Sequence, residues 1–252
     1  MLFKLLLSAC LALYVTALPQ GKANFQKRAR AALYTQCTVP NTVALTFDDG
    51  PFDYINDISK VLKDNNATGT FFFNGNNYHC IYDQDSVDHV KYVYDQGHHI
   101  ASHTWSHPDL NTLTADQIHD EMWKIEQALM RITGAYVAFM RPPFGNYNDQ
   151  VLDVSGVRGQ DVVIWDFDSE DSVGASAQES KQKYDQIASK HPSTLLALNH
   201  ETYSTTAYDV LPHAIQVLKA KGYNLVSVAD CVGKPKYQYV GAPEQRTADW
   251  HC

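Results

Sequence analysis

Asp48 and Asp49 stand side by side in the segment Thr46-Phe47-Asp48-Asp49-Gly50-Pro51, where an apolar run stops and a turn begins. Adjacent carboxylates repel each other, and burying either is costly unless positive charge is close. His103 and His107 lie in His-Thr-Trp-Ser-His. A helical segment would put the two imidazoles on one face, within reach of one ion. In a chain with 11 histidines such a pair says little alone. Two imidazoles and one carboxylate, however, form a common catalytic zinc set with a position open for water. One of the two acids could complete that set. The other would stay unligated beside the water as a base, so that two identical side chains acquire two roles. Taken alone, Asp-Asp-Gly-Pro reads equally well as a polar turn.

Arg141 opens Arg-Pro-Pro-Phe-Gly. Its planar fork suits a carboxylate, and the two prolines stiffen the loop behind it. His200 closes Leu195-Leu196-Ala197-Leu198-Asn199-His200, a run apolar enough to leave it at the edge of a site. As an isolated residue it reads better as a buried structural histidine.

The elements that must carry these residues alternate. Strands are expected at 42–47, 68–73, 98–104, 135–140, 161–167, 194–200 and 224–230. Helices are expected at 54–65, 86–97, 114–134, 176–191 and 206–222, the last starting late because of Pro212. Thr114 and Gly134 have the residue types of an N-cap and a stop. This βαβα order predicts an α/β fold with a parallel sheet. About seven to eight strands in this length suit a distorted (β/α) barrel, whose site lies at the C-terminal strand ends. Asp48, Asp49, His103, Arg141, Asp166, Asp168 and His200 all fall at such ends.

The chain has 252 residues, 44% hydrophobic and 19% charged, a globular composition. Residues 1–18 read as a secretory signal peptide, with Lys4 ahead of an apolar stretch too short for a membrane span. Residues 19–28, ending in Lys27-Arg28, read as a short propeptide. Residues 29–232 form the predicted domain and 233–252 a tail. Removing 1–28 takes away four basic residues and no acid from a chain whose formal net charge is already −8. Such acidity argues against nucleic acid as a partner. It would tolerate a cationic polymer as substrate or product.

Cys10 lies in the signal peptide, leaving Cys37, Cys80, Cys231 and Cys252. Four cysteines in an exported chain allow three pairings. Cys37–Cys231 joins the start of the domain to its end and leaves Cys80–Cys252 to fasten the tail. Asn66-Ala67-Thr68 is a glycosylation sequon at Asn66.

The segments TFDDGP, SHTWSH, RPPFG, WDFDSED and LALNH occur in the order of the five motifs of the polysaccharide deacetylases, carbohydrate esterase family four, also called the NodB homology domain. The resemblance spans about residues 40–232. FFFNGNNY and SHTWSHPDLNTLT look most like fungal chitin deacetylases. The resemblance implies Asp48 as general base and Asp49, His103 and His107 as ligands of one divalent metal, zinc first and cobalt second. It implies Arg141 as the partner of the base, His200 as general acid and Asp171 as its support. Phe144, through its backbone N–H, and Leu198 would face the substrate, as would Trp165 of the fourth motif. One departure stands out: Ser172 occupies the place of a family tryptophan, which leaves Asp171 and Asp168 both open as the support of the acid.

The implied protein is a freely secreted, monomeric chitin or chitooligosaccharide deacetylase, extracellular or in the cell wall, with no membrane attachment. A deacetylase of peptidoglycan or O-acetylated xylan is the alternative. A binding protein without turnover is another, although no ligand, base or acid is missing.

Overall fold

Thr42–Gly50, the longest strand (β2), organises the sheet. The computed structural model describes residues 30–252, so the expected signal peptide and propeptide lie outside the described residues. The strands are β1 (Leu33–Tyr34), β2, β3 (Thr70–Phe73), β4 (His99–Ser102), β5 (Ala135–Val137), β6 (Phe139–Met140), β7 (Asp161–Val163), β8 (Phe167–Asp168), β9 (Thr194–His200), β10 (Asn224–Val226) and β11 (Tyr237–Val240). The helices are α1 (Ile55–Asp64), α2 (Gln84–Asp95), α3 (Ala115–Thr133), α4 (Asp149–Arg158), α5 (Ala177–Lys190), α6 (Leu211–Ala220) and α7 (Val228–Val232).

The main sheet is parallel throughout, in the order β1-β7-β6-β4-β3-β2-β9-β8. Strand β10 pairs with Thr42–Ala44 of β2, and β3 with the later part of that strand. The sheet curls into an open half-barrel, the distorted barrel expected from the βα order.

Period-two alternation sorts β2 and β9 into two faces. Val43, Leu45 and Phe47 pack outward with Leu195 and Ala197 against α1, α5 and α6. Ala44 and Leu196 point inward, with Phe72, Ala101, Phe139 and Val163. Short α7 plugs the bottom of this interior through Val228, Ala229 and Val232. The far, C-terminal ends of the inward rows stay open, and polar residues take over there.

Thr114 caps α3 through a reciprocal capping box with Gln117, and Gly134 ends it in the left-handed region at φ 81°. Several expectations are corrected. Residues 135–140 form two strands, because β5 leaves the main sheet to pair antiparallel with β11 of the tail. Strand 161–167 breaks between β7 and β8, where the Asp166 carboxylate takes the Leu196 amide at 2.7 Å in place of a backbone partner. The last strand stops at Val226, and Ser227 caps α7 instead. The helix expected over 206–222 begins as a π-turn at Thr206–Val210 before α6. Helix α4 was absent from the expected elements. Among the described residues no helix is long and apolar enough to cross a membrane.

Two disulfides, Cys37–Cys231 and Cys80–Cys252, are formed, with sequence separations of 194 and 172. Such bonds belong to oxidising compartments and suggest an extracellular protein. Asn66 is exposed in the turn between α1 and β3. The Cys37–Cys231 bridge closes a long loop and is buried beneath the sheet. Replacing both cysteines by serine should cost about 2–5 kcal/mol, read as a lower urea midpoint. An unchanged midpoint would show that the barrel bottom is held without it.

Candidate metal centre and active site

In a regular strand, neighbouring side chains point to opposite faces. Asp48 and Asp49 nevertheless line the same cavity. The register between β2 and β3 shifts between Asp48 and Gly50, and Asp49 takes φ 74°. This one-residue bulge turns Asp49 back toward the interior, a conformation that aspartate tolerates better than most residues.

The third motif supplies the cation. Arg141 follows β6 and is completely buried. Its Nη1 donates to Asp48 Oδ1 at 2.8 Å and to Thr46 Oγ1 at 2.7 Å. Nε and Nη2 donate to the carbonyls of Val163 and Ile164. The guanidinium lies 4.2 Å from the centre of the Phe72 ring. Burial lowers the Arg141 pKa, opposed by the Asp48 carboxylate, yet a guanidinium stays charged in any such setting.

The two histidines of the second motif do not sit on a helix. Residues 103–107 form an irregular loop after β4, with Thr104 at φ 72° and His107 at φ 58°. The loop is tied down from both sides. Asn74 donates its side-chain amide to the carbonyls of His103 and Thr104, and Ser106 donates through its N–H and hydroxyl to Glu121. His103 Nδ1 donates to the Arg141 carbonyl at 2.8 Å, which leaves Nε2 as a lone pair facing Asp49. Asp49 Oδ1 lies 3.6 Å from His103 Nε2 and 3.3 Å from His107 Nε2. Burial and neighbouring His103 lower the His107 pKa against the pull of Asp49 and Asp48, favouring the neutral ring.

Asp49 Oδ1 is buried and has no hydrogen-bond partner among the described residues. The donor atoms of Asp49, His103 and His107 all lie within 4.8 Å of one another. An orphaned carboxylate oxygen facing two imidazole Nε2 atoms is a donor set suited to a divalent cation.

In the sheet, β9 runs in register beside β2, with Asp48 paired to His200 and Thr46 to Leu198. His200 Nδ1 pairs with Asp171 Oδ1 at 2.7 Å. Asp171 Oδ2 accepts from the His200 N–H and from Thr206 Oγ1. Asp171, not Asp168, is therefore the carboxylate on His200. Asp168 accepts the Glu170 amide and lines the cavity, where burial raises its pKa. Burial disfavours the His200 imidazolium, but the hydrogen bond and charge of Asp171, aided by Asp48 and Asp49, raise its pKa to about 9.

The cavity measures about 490 Å³ and is also lined by Phe144, Trp165, Ser172, Val173 and Leu198. The Phe144 backbone is left-handed at φ 60°, and its ring meets His107 edge-on. Of the residues expected to do chemistry or face substrate, Asp48, Asp49, His103, His107, Phe144, Trp165, Leu198 and His200 line this cavity, and Arg141 and Asp171 bond to residues that line it. Thr46, Asn74 and Thr206, which hold Arg141, the histidine loop and Asp171, were missed. Only their nearness to the motifs could have signalled them.

Asp171→Asn should return the His200 pKa from about 9 toward or below its ordinary 6.5. The raised pKa contributes stability that is complete below the ordinary value and lost as pH rises through the folded one. The stability gap between wild type and variant should therefore shrink across that interval. Imidazole titration by NMR and unfolding at several pH values check it; an unmoved pKa would detach Asp171 from His200.

Residues 35–163 match the polysaccharide deacetylase family. The chain is 38% identical over 207 residues to a chitin deacetylase of Pestalotiopsis sp, covering 80% of this chain and 67% of the relative. It is 35% identical over 202 residues to a peptidoglycan-N-acetylmuramic acid deacetylase of Bacillus subtilis, covering 79% and 74%. The fold is similar to that of the chitin deacetylase from Colletotrichum lindemuthianum, with a TM-score of 0.79, 30% identity, and coverage of 86% of this chain and 98% of that one. With its motifs gathered at one cavity, this chain belongs to the polysaccharide deacetylases of carbohydrate esterase family four.

Proposed function

We propose that this protein is a secreted chitin or chitooligosaccharide deacetylase, hydrolysing the N-acetyl group of N-acetylglucosamine units to acetate and free amine. The carrying observation is that a buried carboxylate on an arginine and a carboxylate-backed histidine stand side by side on adjacent strands at one cavity, beside a metal-type donor set. Chitin is favoured over other polymers by the fungal chitin deacetylases among the relatives. Peptidoglycan is the second reading, favoured by the Bacillus relative.

Asp49, His103 and His107 would hold a divalent ion, zinc first, which when bound supplies Lewis acidity toward water and an amide carbonyl. Asp48 keeps one oxygen on Arg141, and its Oδ2 lies 3.7 Å from His103 Nε2 on the metal side. That oxygen accepts a proton from the attacking water, whose oxygen bonds to the acetyl carbon. The Phe144 N–H stabilises the charge that develops on the acetyl oxygen. His200, cationic through Asp171, delivers its proton to the amide nitrogen as the C–N bond breaks. Leu198 and Trp165 form an apolar wall for the acetyl methyl, and Ser172 and Val173 shape the rim.

Acetate release from N-acetylglucosamine oligomers should stop with a chelator and return with zinc. Release from peptidoglycan alone would shift the substrate to the second reading, and no release from either would favour a binding role. Asp48→Asn should lower kcat by about 10²–10⁴-fold while zinc stoichiometry is kept. An active Asp48→Asn enzyme would overturn the base assignment.

A further inference from the structure

Glu201 follows His200 directly and is completely buried. It does not line the catalytic cavity, so it does not reach a substrate. Its Oε1 accepts the Phe52 N–H at 2.9 Å, while Oε2 has no hydrogen-bond partner among the described residues. Its own N–H donates to the Asp48 carbonyl at 3.3 Å. One residue at the end of β9 thus holds the turn after β2 at two points, on either side of Asp49.

The side chain also explains Gly50. The Gly50 φ is not among the left-handed ones, so the backbone does not require glycine there. Space does: a Cβ at position 50 would lie 1.9 Å from Glu201 Oε1 and 2.2 Å from its Cδ. The carboxyl lies flat over the Gly50 backbone and reaches Phe52 beyond it.

A buried acid with one empty oxygen is a poor stabiliser in its own right. An apolar residue of similar size would fill the same volume without that cost. It could not accept the Phe52 amide, which would leave a donor orphaned beneath the turn. Burial first, and then the charges of Asp49 and Asp48, raise the Glu201 pKa well above the ordinary range against the Phe52 hydrogen bond.

We propose that Glu201 is a positioning residue, whose carboxyl, laid over Gly50 and bonded to Phe52, holds the left-handed Asp49 in the place from which it faces His103 and His107. The proposal rests on the reading of Asp49 as a metal ligand. It accounts for a feature of the turn that the metal and the base do not, the need for glycine between Asp49 and Pro51.

Zinc affinity by chelator competition, thermal midpoint, and kcat and KM for acetate release are measured on the full chain. The set is wild type, Glu201→Gln, Glu201→Ala, Gly50→Ala and the double variant Gly50→Ala/Glu201→Ala. Glu201→Gln retains shape and the acceptor and should stay close to wild type throughout. Glu201→Ala should weaken zinc binding by about 10- to 100-fold and lower kcat more than it raises KM. Gly50→Ala should be equally damaging, because the new Cβ drives the carboxyl off Phe52. Adding Glu201→Ala to Gly50→Ala should then leave the loss near that of either single variant rather than deepen it. Wild-type zinc affinity in Glu201→Ala overturns the proposal, as does a glutamine variant as weak as alanine. So does simple addition of the two defects in the double variant. If Glu201→Ala does not fold, Gly50→Ala alone decides, and wild-type affinity there overturns the proposal. A wild-type protein that binds no zinc overturns the metal reading instead, and with it the proposed role of Glu201.

Discussion

A single buried ion pair constrains the rest of the site. Arg141 sits where water cannot reach it and must be neutralised there. Removing either partner of such a pair strands a charge in the interior, with a cost of about 3–5 kcal/mol. Asp48 supplies the counter-charge, and Thr46, Val163 and Ile164 take most of the remaining donors. Those partners lie on or just after β2 and β7, while the arginine itself follows β6. The guanidinium therefore cross-braces strands that are not all neighbours in the sheet. It also orients the Asp48 carboxylate, so one oxygen is committed and the other is left for chemistry. The Arg141 carbonyl then fixes the His103 ring, so the same residue orients both Asp48 and His103.

Around that brace, backbone geometry assigns different tasks to identical side chains. Asp48 belongs to the regular strand and Asp49 to the bulge, and this difference alone separates the carboxylate on Arg141 from the carboxylate near the imidazoles. The histidines divide in the same way. His103 is oriented by a carbonyl, His107 is favoured in its neutral form by burial, and His200 is kept cationic by Asp171. Charge is balanced by pairs, with guanidinium against one acid and imidazolium against another. Of the other two acids at the cavity, Asp168 is held by the Glu170 amide, while Asp49 Oδ1 has no hydrogen-bond partner among the described residues.

Much of this was legible in the sequence because it rests on local chemistry. The apolar runs of β2 and β9 and the capping residues of α3 are one-dimensional signals that survive folding. The site residues were legible because five short motifs fall at strand ends. What could not be read depends on contacts made across the chain. The His103–His107 spacing suited a helix, but Asn74 and Glu121 hold an irregular loop there. Helix α4, with Gly156 near its end and a weak apolar face, is defined by its packing on α3. Strand β5 is drawn out of the sheet by β11, about a hundred residues later in the chain. Glu201 carries no signal of its own, since an acid after a histidine has no meaning until Gly50 lies beneath it.

The two disulfides have a further consequence through the way their loops overlap. Cys37–Cys231 and Cys80–Cys252 interlock in sequence order, so each loop contains one end of the other. Any single backbone cut between Cys37 and Cys252 leaves the two fragments joined by at least one bridge. A cut between Cys80 and Cys231, the stretch that holds both histidines of the loop, Arg141, Asp171 and His200, leaves them joined by both. In surroundings rich in proteases, a nicked molecule would keep its pieces in place, and damage to one exposed loop would not disperse the active site.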